Sequence, residues 1–121
     1  MTDDRKNLGH RGEKAALSFI QTRGFTILET NYRTKIAEID IIAKDRDCLC
    51  FIEVKTRRSL KKGLPKESIT YSKQKKIILG ASFYLKEKKL FNSRMRFDVI
   101  EVIEKNGSFD IHLIKNAFQK Y

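Results

Sequence analysis

The spacing of apolar positions changes several times along the chain, and the changes divide it into elements. From about Leu8 to Arg23, the residues Leu8, Ala15, Ala16, Phe19 and Ile20 recur at mostly helical spacing, and Gly24 stands where a C-cap glycine falls, which predicts a first helix. Phe25 to Arg33 (FTILETNYR) has strand composition, and Ala37 to Thr56 (AEIDIIAKDRDCLCFIEVKT) supplies two more strands around Asp45-Arg46-Asp47. The stretch RRSLKKGLPKES, with Gly63 and the only proline, Pro65, reads as a loop. From about Thr70 to Lys89, one apolar stripe of Ile77, Ile78, Ala81, Tyr84 and Leu85 runs beside Lys73, Lys75, Lys76 and Lys86, predicting a second helix. RMRFDVIEVIE is a strand, Asn106-Gly107 a hairpin turn, and FDIHLI the returning strand. The order is α-β-β-β-α-β-β, an α/β chain within one domain covering residues 1–121.

The second and third strands carry charges where a sheet would bury Val or Ile. Because side chains alternate along a strand, Glu38, Asp40 and Ile42 are expected on one face and Ile39, Ile41 and Ala43 on the other. In the next strand Leu49, Phe51, Glu53 and Lys55 share a face opposite Cys50, Ile52 and Val54. A two-residue turn at Arg46-Asp47 then pairs Ile42 with Phe51, Asp40 with Glu53 and Glu38 with Lys55. Opposed carboxylates have Cβ atoms about 5 Å apart and repel. A cation held by the oxygens of Asp40 and Glu53 converts that repulsion into ligation, and two carboxylates with retained water suit Mg²⁺. Lys55, one pleat beyond Glu53, reaches the same space, where its ammonium can orient a nucleophile or stabilise charge on a phosphate oxygen. The Glu38–Lys55 pair reads as a cross-strand ion pair. The plain alternative for the whole set is a solvated sheet end with charges interspersed.

Charge sharpens the picture. The formal net charge is +11, and the segment Val54–Arg96, whose only acids are Glu67 and Glu87, holds the excess. Such asymmetry suits a polyanion whose counterions are released on binding, or else a solubilising surface. With 40% hydrophobic and 34% charged residues, a core is available. No apolar run approaches the roughly 20 residues of a membrane span, and the N-terminus lacks the apolar stretch of a signal peptide, so a cytoplasmic protein without a membrane partner is expected. Cys48 and Cys50 stand too close for a usual disulfide and without metal-site spacing, so both are expected as reduced packing residues. His10 and His112 have no His or Cys neighbours at ligand spacing.

Asp40 followed by Glu53-Val54-Lys55 on the next strand resembles the active-site core of the restriction-endonuclease-like PD-(D/E)xK nucleases. GxxGExxA (Gly9 to Ala16), GFTILETNYR, EIDIIA, FIEVKTR, Lys73 in the second helix and RFDVI (Arg96 to Ile100) resemble, in that order, the YraN-like family of small bacterial proteins over about Gly9 to Val102. The resemblance implies a restriction-endonuclease-like mixed β-sheet flanked by helices, similar to that of Holliday junction resolvases, and Mg²⁺-dependent nuclease activity, with Mn²⁺ as a substitute. It assigns Glu13, Asp40, Glu53 and Lys55 as catalytic, with Asp40, Glu53, Glu13 and the Val54 carbonyl around the metal. Lys73 or Gln74 matches a polar helix position flanking the site. Two departures stand out: Ala37 replaces the usual Gly, and no proline precedes Asp40, the latter common within the family.

On its own, Glu13 is an exposed helix charge; only the resemblance makes it a site residue. Asp98, beside Arg96, reads as a structural acid. Arg57, Arg58, Lys61, Lys62, Lys73, Gln74 and Lys76 are the expected nucleic-acid contacts, since the basic loop and second helix follow the Glu-x-Lys strand directly. The expected partner is nucleic acid, DNA in the first place, with branched or junction structures suggested by the resemblance, and a homodimer is compatible with it. The rival reading is a nucleic-acid-binding module on the same scaffold with weak or no turnover. An RNA-binding protein is disfavoured by the lack of an aromatic-rich RNP-like strand.

Overall fold

The structure, a computed structural model, describes residues 4–58 and 69–119. Helix α1 (Asp4–Thr22) is followed by strands β1 (Thr26–Arg33), β2 (Glu38–Asp45) and β3 (Cys48–Arg57), helix α2 (Tyr71–Glu87), and strands β4 (Arg94–Lys105) and β5 (Ser108–Phe118). The order α-β-β-β-α-β-β matches the one expected from the hydrophobic pattern, with boundaries shifted by a few residues. The strands form one sheet in the order β1-β2-β3-β4-β5, antiparallel throughout except for the parallel pair β3 and β4. Parallel neighbours need a long crossover, which here contains α2.

Turn chemistry sets the hairpins. Asn106 and Gly107 both take positive φ, 51° and 83°, as a tight turn with the twist of the flanking strands requires. Arg46 takes φ 58° at the β2–β3 turn. The β2–β3 register runs from Asp45↔Cys48 through Ile42↔Phe51 to Ile41↔Ile52, the pairing a two-residue turn dictates.

Each face of the sheet is covered by one helix. Under α2 lie Ile42, Leu49, Phe51, Phe97 and Val99 with Ile77, Ala81 and Tyr84 of the helix. Under α1 lie Ile41, Cys50, Ile52, Val54, Ile100 and Val102 with Ala16 and Ile20. Cys50 is buried, Cys48 half-buried, and both are free thiols. Alternation along β3 matches the expectation, but β2 departs from it. Ile39 packs with Ile42 under α2, whereas Ile41 packs under α1, so strict alternation breaks at Asp40. The break faces Asn31 of β1, which sits at φ 52° between the pairs Thr30↔Ile41 and Tyr32↔Ile39. A left-handed residue turns the strand locally, and a parity argument carries no information about it. Among the described residues no helix is long and apolar enough to cross a membrane.

The other end of the sheet is stapled by charge. Asp98 is fully buried; Arg96 Nε donates to both its carboxylate oxygens at 2.9 and 3.0 Å, and the Asn116 backbone N–H donates to Oδ1 at 2.9 Å. Arg96 also reaches Asp45 Oδ2 at 2.9 Å. Strands β2, β4 and β5 thus meet at one guanidinium, and Asp98 has the structural role expected of it. Removing one partner of a buried pair strands the other charge. Asp98→Ala is therefore expected to lower stability by roughly 3 kcal/mol in urea unfolding, and a loss below about 1 kcal/mol would contradict this account.

Candidate active site

Where β2 parts from β3, their backbone pairing is continued by a side chain. Beyond Ile41↔Ile52, the Val54 backbone N–H donates to Asp40 Oδ2 at 2.8 Å. The carboxylate therefore satisfies a strand donor and lies between the two strands. Glu53, only 5% exposed, projects to the α2 side and meets Lys73 Nζ at 2.6 Å. Lys73 stands in the first turn of α2, capped by Thr70, whose hydroxyl accepts from the Lys73 backbone N–H at 3.1 Å. A cation there opposes the helix dipole, so the buried Glu53 carboxylate is what makes the position favourable.

Glu13 arrives from the opposite face. A Cβ on Gly12 would lie 2.2 Å from Thr56 Oγ1 and 2.9 Å from Thr56 Cβ, so only glycine lets α1 settle this closely on β3. The next residue, Glu13, is half-buried and lines the same cavity as Asp40. Helices on opposite faces of the sheet thus feed one opening between two strands. A cavity of about 780 Å³ collects Glu13, Glu38, Asp40, Glu53, Lys55 and Lys73, with Val54 in its wall.

Crowding shifts the titrations. Burial first, then the charge of Glu53, pushes Asp40 up to about 7, against a weaker opposing pull from its bond to Val54. Burial, followed by Glu38, raises Glu13. Burial, followed by the charge of Lys73, lowers Lys55. Burial opposes the charge on Lys73, but the hydrogen bond and charge of Glu53 outweigh it and hold its pKa above the ordinary lysine value. Perturbed groups of both signs in one cleft are what acid, base and electrostatic chemistry requires.

Glu13, Asp40, Glu53, Lys55, Val54 and Lys73 come together. The expected Glu38–Lys55 ion pair does not form; Glu38 pairs with Arg33 of β1 at 3.5 Å, because the strands have separated before that position. Lys73, rather than Gln74, occupies the flanking helix position; the Gln74 side-chain amide donates to the Ile69 carbonyl at 3.1 Å. Lys76 borders a smaller adjoining cavity with Asp40, Glu53 and Lys73. Arg58 is directed to Glu104 of β4 at 2.8 Å, and neither it nor Arg57 lines the main cavity. Lys61 and Lys62 lie outside the described residues. Lys6, Asn7, His10, Asn31 and Arg33 also line the cavity, and no local pattern marked them. The GxxGE spacing was the one signal for the N-terminal part of α1. Among the described residues no trio of His, Cys, Asp or Glu is arranged to hold a metal.

Two outcomes follow. An ionised Asp40 is disfavoured in the fold, with a cost absent below its ordinary pKa of 3.8 and complete above about 7. Without divalent metal, Asp40→Asn keeps an acceptor for Val54 and is expected to melt above the parent at about pH 8, the advantage shrinking as pH falls through that window. A pH-independent difference would refute the assignment. Gly12→Ala is expected to cost about 1 to 3 kcal/mol by overpacking. Adding Thr56→Ala should recover part of it, and strict additivity of the two losses would exclude the contact as cause.

A family model described as "Uncharacterised protein family UPF0102" matches residues 12–102. A UPF0102 protein of Desulforapulum autotrophicum is 50% identical over 119 residues, 98% of each chain. One of Caldicellulosiruptor saccharolyticus is 46% identical over 117 residues, 95% of this chain and 99% of the relative. One of Clostridium botulinum is 50% identical over 117 residues, 94% of this chain and 95% of the relative. The resemblance to small YraN-like proteins holds at this level, and the chain belongs to the UPF0102 family.

Proposed function

We propose that the chain is a metal-dependent endonuclease-like protein that binds DNA and hydrolyses phosphodiester bonds in the cytoplasm, branched or junction DNA being the class suggested by its likeness to PD-(D/E)xK nucleases. One observation carries this reading: Glu13, Asp40 and Glu53 converge with Lys55 and Lys73 on a single cavity, at the point where two strands separate.

The donor chemistry suits a hard cation, although the described acids are not arranged as a ready-made trio around one. The donor set consists of carboxylate oxygens, with Val54 in the wall, and the pKa of Asp40 is raised by burial first and then by the neighbouring charges of Glu53 and Glu13, a cost that a cation would relieve. Asp40 and Glu53 would hold Mg²⁺ or Mn²⁺, assisted by Glu13 and the Val54 carbonyl. When bound, such an ion supplies Lewis-acid polarisation of the phosphate and activation of water. The protein's own share is orientation. Asp40 is fixed by the Val54 N–H, and Glu53 by Lys73. Lys55, less firmly protonated than an ordinary lysine, can position the nucleophile or steady charge on a phosphate oxygen. Lys73, paired with Glu53 and lining the cavity, stands where its ammonium could also meet a phosphate oxygen.

The Lys73–Glu53 pair also supports the second reading, a DNA-binding module with little or no turnover, since Lys73 already neutralises Glu53 without a metal. Incubating the pure protein with branched, single-stranded and duplex DNA in Mg²⁺, Mn²⁺ or EDTA separates the two. Cleavage in metal alone is expected, and Asp40→Ala and Lys55→Ala should each reduce it at least about a hundredfold with the fold retained by circular dichroism. Full cleavage by either variant removes its residue from the mechanism; binding without cleavage of any substrate establishes the module.

A further inference from the structure

A second cavity, of about 750 Å³, opens on the α1 face at the opposite end of the sheet. Four separate parts of the chain bring cations to it, Arg23 just after α1, Arg46 in the β2–β3 turn, Arg94 at the start of β4 and Lys115 of β5, the last paired with Asp45 at 3.6 Å, and Asp45 and Asp47 share the lining. Arg96 also borders it but is committed to Asp98 and Asp45. Arg46 makes no ion pair among the described residues. Arg94 meets Asp47 at 3.4 Å with both side chains about three-quarters exposed (77% and 74%), a pair that water already weakens. Arg23 lies over the Phe19 ring at 4.3 Å, a contact that uses the face of the guanidinium and not its N–H donors.

Helix α1 links this cavity to the first. Lys6 and His10 line the active-site cavity, and Lys14, Ser18 and Gln21 continue the same exposed stripe towards Arg23. Between Lys6 and Arg23 the only acid is Glu13, which is turned into the site. The outer face of α1 is therefore free of negative charge along its length, and the acids at its far end, Asp45 and Asp47, are each matched by cations, Arg96 and Lys115 for the first and Arg94 for the second. Its span agrees by two rulers. Glu13 to Arg23 is about 15 Å at 1.5 Å per helical residue, and Glu53 to Cys48 is about 17 Å at 3.3 Å per strand residue. Successive phosphates of one DNA strand advance about 3.4 Å along the axis, so the track covers about five nucleotides.

We propose that the outer face of α1 and the Arg23–Arg46–Arg94 cavity form a second DNA-backbone surface, which guides one strand about five nucleotides away from the phosphate seated at Asp40, Glu53 and Lys55. The proposal rests on the DNA-binding part of the function given above and adds where the substrate runs. It adds a contact surface on the other face of the sheet to those expected from the basic loop and α2. Cations of this kind position the backbone and carry no base information.

The test uses a triple variant, Lys14→Ala, Arg23→Ala and Arg46→Ala, all at exposed positions. Fluorescence anisotropy in EDTA would follow the full-length protein on duplexes with one arm lengthened stepwise past the bound phosphate. The parent is expected to gain affinity until the arm reaches about five nucleotides, while the triple variant loses that gain. Its log–log salt slope should fall by about three, one counterion per lost phosphate contact. A parent without length dependence, or a variant that keeps the parent's slope, overturns the track while leaving the cleavage assay above untouched. A parent that binds no DNA overturns both. The expected length and slope changes without any metal-dependent cleavage retain the track and reject the nuclease.

Discussion

The site depends on one hydrogen bond, from the Val54 backbone N–H to the Asp40 carboxylate. Within a sheet that donor would ordinarily meet a strand carbonyl, and leaving it unpaired in a buried place would cost about 1 to 3 kcal/mol. A side chain takes the carbonyl's part, so β2 and β3 can separate without an orphan donor. The gap admits groups from both faces of the sheet, which otherwise stay a sheet's thickness apart. Asp40 is thus a structural cap for the separated strands and an anionic wall of the cavity at once.

That dual duty explains the electrostatics. An acid held between strands loses water, and Glu53 and Glu13 close by make its charge less favourable still. The fold offsets the strain locally with Lys73, placed against the dipole preference of its own helix. Interactions that look poor for stability cluster here, the pattern that the proposed function would require. The opposite end of the sheet contrasts with this. Arg96, Asp98 and Asp45 satisfy one another fully, with no buried side-chain polar atom left unpartnered among the described residues. One buried charge cluster therefore holds strands together, and the other faces an open cavity.

Helix α1 connects the two ends. Its inner face is set by Gly12 against Thr56 and by Ala16 and Ile20 in the core. Its outer face is left to cations and neutral polar groups. The small residue that brings Glu13 within reach of Asp40 therefore also fixes where Lys14 and Arg23 stand relative to the cavity.

Much of this was legible along the chain. Periodicity placed both helices and all five strands; the turn lengths set the β2–β3 register; parity aimed Phe51, Glu53 and Lys55 to one side. These are properties of neighbours in sequence, fixed by rise per residue and by turns. The break in alternation at Asp40, the pairing of Glu38 with Arg33, the Lys73–Glu53 contact and the gathering of Arg23, Arg46 and Arg94 were not legible. Each depends on elements that meet only through packing, where burial and the nearest opposite charge decide which partner a side chain takes. The sequence by itself determined the elements and the chemistry they carry. The tertiary structure alone decided which charges share a cavity, because long-range Coulomb and desolvation energies are set by distance through space.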